Sequence, residues 1–134
     1  MKIGVHELDY FDFHVDGVAF DLCEVAVRAS TPDRFALAKN RSMLERYLSL
    51  CADLPARHVV ELGVYQGGSA ALLGMLPTTE KLVAFELDTG QRGGALDQFI
   101  RNRSLEGKVS THYGVDQADK QRLWEVLAAE GLAE

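Results

Sequence analysis

Residues 59–69 read Val-Val-Glu-Leu-Gly-Val-Tyr-Gln-Gly-Gly-Ser, and Glu86 closes the next apolar run. A short β-branched stretch enters a glycine-rich turn and then a helix-like segment, Ser69 to Leu76. Lys81-Leu-Val-Ala-Phe-Glu86 reads as a second strand that ends on an acid. Strand, glycine turn, helix, strand and acid, in that order, form the plan of an α/β nucleotide pocket. The glycines let backbone approach a ligand, and the helix N-terminus favours an anionic group. An acid at the tip of the second strand can accept both hydroxyls of a ribose.

The spacing of the glycines narrows the choice of nucleotide. A dinucleotide fingerprint is Gly-x-Gly-x-x-Gly. Counted from Gly63, the third glycine is present as Gly68, but the middle position holds Tyr65. The middle glycine lets backbone touch a pyrophosphate, and a tyrosine there sets a large side chain near the phosphates. A ligand with ribose and adenine but no pyrophosphate avoids the difficulty. S-adenosylmethionine is such a ligand. Its carboxylate suits the helix N-terminus, and its ammonium and sulfonium suit a nearby acid such as Glu61.

The run Glu61-Leu-Gly63-Val-Tyr65-Gln-Gly67-Gly68-Ser69 resembles motif I of class I S-adenosylmethionine-dependent methyltransferases, Glu/Asp-x-Gly-x-x-x-Gly. Glu86 in Phe85-Glu86-Leu87-Asp88 is similar to their ribose-binding acid. The Gly-Gly-Ser ending and Gly114-Val-Asp-Gln-Ala-Asp119 resemble the branch that holds macrolide-sugar O-methyltransferases and cephalosporin-hydroxylase-like proteins. The resemblance covers roughly residues 40 to 130. It implies a Rossmann-like sheet in which Glu61, Gly63, Tyr65, Gly67, Gly68 and Ser69 hold the methionine end and Glu86 the ribose. The loop of Asp116 and Gln117 would meet the adenine. Asp116 can equally cap the helix that follows, and the two roles are compatible.

At 134 residues, 47% of them hydrophobic and 25% charged, the chain is expected to pack a core. Of the net charge of −6, residues 1–24 supply −5, from six acids against Lys2. No basic stripe is present, which argues against nucleic acid as partner. Cys23 and Cys51 have neither framework nor metal spacing and read as buried, reduced thiols of a cytoplasmic protein. No signal peptide or membrane span is visible, so no membrane partner is expected.

The chain divides into a hairpin leader, residues 1–30, and a cofactor-binding α/β unit, residues 31–134. Phe11, Phe13 and Val15 alternate with polar residues, as do Val18, Phe20 and Leu22 beyond Asp16-Gly17, a strong two-residue hairpin signal. That register pairs Val15 with Val18, Phe13 with Phe20 and Phe11 with Leu22. It also opposes Asp12 to Asp21, which is unfavourable unless solvated. A lone hairpin is marginal in water, so its apolar face needs a cover from its own domain or another subunit. Ser30 or Thr31 with Pro32 reads as a helix start. The apolar positions Phe35 to Cys51 then give one helix or two before Pro55. Asn40 and Arg41 in this segment are solvated or reach the cofactor carboxylate. After Glu86 come a polar loop at 88–94, a short helix with Leu96, Phe99 and Ile100, and a third strand at 108–113. A last helix uses Leu123, Val126 and Leu127, with Trp124 at its edge.

The fold expected is therefore α/β: a Rossmann-like partial sheet, equivalent to strands 1–3 of a class I methyltransferase, with an N-terminal β-hairpin. Family members continue with a fourth strand, and this sequence stops at Glu134, where that strand would begin. The chain thus reads as the N-terminal, S-adenosylmethionine-binding portion of a small-molecule methyltransferase acting on a hydroxyl. The alternatives are a fragment of an NAD-dependent oxidoreductase, or a non-catalytic binding or assembly module. No catalytic base is assigned, and the four histidines have no metal spacing. The acids that hold a divalent metal in the resembling branch would lie beyond this point. Without strand four, strand one has an open edge, and a homo-oligomer is expected to cover it.

Overall fold

The computed structural model describes residues 2–6, 10–22, 29–54, 56–88 and 94–132. For residues 2–6, 10 and 11 the backbone alone is described, and Cys23 and positions 89–93 of the polar loop lie outside the described residues.

The N-terminal half builds a mixed sheet. Strands β1 (Lys2–His6), β2 (Tyr10–Val15), β3 (Val18–Leu22) and β4 (Arg34–Leu37) lie side by side in that order. Asp16 (φ 47°) and Gly17 (φ 82°) form the two-residue turn between β2 and β3, both left-handed as a type I′ turn requires. The register is the one expected: Phe13 faces Phe20 and Val15 faces Val18. Asp12 and Asp21 do oppose each other, and both are buried instead of solvated. Arg34 on β4 resolves the repulsion by ion-pairing with both carboxylates.

β4 corrects the sequence reading of this segment. A helix was expected to start at Pro32. Instead Thr31 and Arg34 exchange backbone hydrogen bonds across a tight turn, and β4 runs parallel to β3. The helix α1 (Arg41–Asp53) begins later, where the Asn40 side chain accepts from the Met43 N–H as its N-cap. The leader's sheet therefore continues past residue 30.

The second half is a parallel α/β unit. Strands β5 (His58–Leu62), β6 (Lys81–Glu86) and β7 (Val109–Tyr113) form a three-stranded sheet in sequence order. Helix α2 (Gly68–Met75) connects the first pair and α3 (Gly94–Asn102) the second, and α4 (Lys120–Ala129) follows β7. β6 is central and buried on both faces, as a parallel strand between helical layers should be.

One core unites the two sheets. Phe13 stacks on Phe20, Phe20 on Phe35, and Phe35 meets Phe99 of α3 edge to face at 5.5 Å between ring centroids. Ala70, Ala71, Leu72, Leu82 and Ala84 join the same cluster. The hairpin's cover thus comes from α2 and α3 of its own chain. On the other face of the parallel sheet, α4 lays Val126, Leu123 and Leu127 over Val83 and Phe85. Val60 and Leu62 of β5 pair with Val83 and Phe85 but stay about half exposed, at 46% and 52%. No helix among the described residues is long and apolar enough to cross a membrane.

Candidate functional site

The turn after β5 is built from alternating left-handed residues: Gly63 (φ 91°), Tyr65 (φ 52°) and Gly67 (φ 90°). Glycine adopts this region freely, whereas a tyrosine is strained there. Several hydrogen bonds hold the strained path. Gly63 N–H donates to the Phe85 carbonyl at 2.8 Å, which ties the turn to β6. Val64 and Tyr65 N–H both donate to Glu86 Oε2 at 2.9 Å, and Asp88 N–H donates to Oε1 at 3.1 Å. Burial pushes the Glu86 carboxyl up, but these backbone N–H groups together outweigh it and hold the carboxyl below its ordinary range. The acid read as a ribose acceptor is therefore also the clamp of the glycine turn.

Gln66, which sequence reasoning passed over, fixes the turn from the other side. Its Oε1 accepts from the Ser30 N–H and from the Ser30 hydroxyl, each at 2.8 Å, and the Ser30 Oγ accepts from the Ala36 N–H. The turn is thereby strapped to the mixed sheet. Gly67 and Gly68 are needed for close packing. A Cβ at Gly67 would lie 2.7 Å from the Leu96 Cβ, and one at Gly68 would fall inside the van der Waals shell of the Ala36 carbonyl.

Two cavities open at the carboxyl ends of the parallel strands and share Gly63. The first, about 270 Å³, is lined by Gly63, Phe85, Glu86, Leu87, Val115, Asp116 and Gln117. The second, also about 270 Å³, is lined by Glu61, Gly63, Tyr65, Gly68 and Ser69 of the parallel unit, and by Ala36 to Lys39 of the mixed sheet's last strand and the linker after it. Eight of the nine residues singled out in the sequence thus line one or the other. Gly67 lines neither and packs on α3 instead.

Glu61 is the most perturbed group in the second cavity. Burial pushes its carboxyl up to about 7, while the nearby Lys39 charge and a hydrogen bond from Ser69 pull it back. Its Oε2 is buried with no hydrogen-bond partner among the described residues. An orphaned acceptor on a half-charged acid favours a bound cation. The Tyr47 hydroxyl is pushed up to about 12 by burial and by Glu61, so it stays neutral.

Other candidates fall elsewhere. Asp116 Oδ1 accepts from the Ala118 N–H, and the cap of α4 is Asp119, which accepts from Arg122 N–H. Asn40 is spent as the cap of α1, and Arg41 pairs with Glu45 at 2.7 Å. His112 is held by Glu130, which also bonds Lys81 and Ser110. His14 and His58 are exposed. Among the described residues no cluster of three or more His, Cys, Asp or Glu side chains could hold a metal. Comparison with protein-family models, with curated proteins and with solved structures finds no match to this chain.

Proposed function

We propose that the chain binds S-adenosylmethionine across the two cavities and serves as the cofactor-holding part of a small-molecule methyltransferase. The observation that carries this reading is the convergence of Glu61, Gly63, Ser69, Glu86, Asp116 and Gln117 on two cavities joined at one glycine. The parallel order β5-β6-β7 accords with the first three strands of such a sheet. The orphaned Glu61 Oε2 fits an ammonium, the first turn of α2 fits a carboxylate, and Asp116 and Gln117 offer acceptors to an exocyclic amine. Glu86 Oε1 retains acceptor capacity for a ribose hydroxyl beside its bond from Asp88.

When bound, the cofactor supplies an electrophilic methyl group on a sulfonium. The chain's own residues hold the donor in one orientation, so that an acceptor hydroxyl can approach in line. Tyr65 is the feature against a pyrophosphate cofactor, because the position where a dinucleotide needs bare backbone carries a side chain. Calorimetry with S-adenosylhomocysteine and with NAD tests the reading. The homocysteine nucleoside should bind more tightly, and tighter NAD binding would remove the proposal in favour of an oxidoreductase.

A further inference from the structure

We infer that Lys39 is the anchor for the carboxylate of an α-amino-acid group whose ammonium sits on Glu61. Lys39 has no counterpart in the sequence motif and belongs to the linker between β4 and α1. Three features bring it to the cavity. β4 ends against the first residue of α2, where the Ala36 carbonyl meets Gly68. The chain then bends sharply, with Lys39 N–H donating to the Leu37 carbonyl at 2.7 Å. Asn40 next starts α1 as its cap, which leaves Lys39 at the cavity wall opposite Glu61.

The two charges complement a zwitterion. Lys39 acts on Glu61 through space, no ion pair joins them among the described residues, and both line the same cavity. The Lys39 ammonium instead lies over the Tyr47 ring, 5.2 Å from its centroid, which orients the side chain without neutralising it. A guest placing an ammonium on Glu61 and a carboxylate toward Lys39 and the α2 N-terminus satisfies the orphaned Oε2 and both charges at once. The neighbouring Asn40 and Arg41 are engaged by α1, Asn40 as its cap and Arg41 in the pair with Glu45.

This inference rests on the S-adenosylmethionine reading, and the test separates the two. Calorimetry compares S-adenosylhomocysteine with 5′-methylthioadenosine, which lacks the amino-acid group, on the wild type, Lys39→Met and Lys39→Arg. Lys39→Met should weaken S-adenosylhomocysteine by at least about tenfold and leave methylthioadenosine unchanged, which also shows that the variant is folded. Lys39→Arg should keep most of the affinity. Wild-type binding of S-adenosylhomocysteine with the same preference in Lys39→Met would overturn the anchor alone. No binding of either nucleoside to the wild type would overturn the cofactor reading and the anchor with it.

Discussion

Glu61 and Glu86 stand on adjacent parallel strands, and their surroundings push their carboxyl groups in opposite directions. For Glu61 the folded carboxyl titrates near 7 against 4.5 in a free chain. Between those values the folded protein keeps a proton that the unfolded chain has released. Stability from this group therefore falls as pH rises from 4.5 to about 7, and the loss is complete above it. Glu61→Gln should melt higher than wild type at alkaline pH and show a flatter profile from about pH 5 to about pH 8 by circular dichroism. Parallel profiles would mean that the acid is solvated. Ligand affinity has the reverse sign, because an ammonium guest prefers ionised Glu61 and should bind more tightly as pH rises through about 7. Glu86→Ala should cost at least about tenfold in S-adenosylhomocysteine affinity and roughly 1–3 kcal/mol of stability from the freed N–H groups. Calorimetry and urea unfolding read the two losses separately. Unchanged affinity would show that the acid serves the turn alone. The sequence could point to this acid at a strand tip. It could not show which backbone donors would meet it, because those depend on the left-handed path through Tyr65.

The same division holds for elements. β5, α2, β6, α3 and β7 were legible because each carries its own periodicity and its own boundary residues. The hairpin was legible, down to its register, from Asp16-Gly17 and the apolar alternation on either side of it. β4 was not. Arg34-Phe-Ala-Leu37 is only four residues long, and its state is decided by β3, to which it pairs in parallel across a distant stretch of chain. Reading that stretch as one helix or two also passed over Lys39, which stands in the turn between β4 and α1. Gly68 was assigned to the cofactor, but its first duty is the approach of α2 to β4. Gly68→Ala must move one element off the other, and a loss of roughly 1–3 kcal/mol is expected in urea unfolding. A neutral substitution would mean that the two elements are loosely joined.

For the molecule as a whole, the parallel sheet presents β5 as an edge, with β6 on one side and no strand on the other among the described residues. Val60 and Leu62 lie half exposed on that edge strand. Edges of this kind recruit partners, and self-association through β5 is the expected outcome. Sedimentation at micromolar concentration should show a dimer or larger species that Leu62→Lys returns to monomer. A wild-type monomer would leave the edge bare and sink the expectation. The hairpin does not compete for this edge, since its sheet is already spoken for by α2 and α3. One wall of the second candidate cavity, Ala36 to Lys39, belongs to the mixed sheet's last strand and the linker after it, and the other belongs to the parallel unit. A guest that touches both walls joins two layers that already meet through the core, the Gln66 strap and the hydrogen bond from Arg103 to the Asp16 carbonyl. Such a guest acts as a rivet, and melting temperature should climb with the logarithm of its concentration. An unlabelled metabolite library screened by heat alone can therefore find the occupant without any assay of turnover.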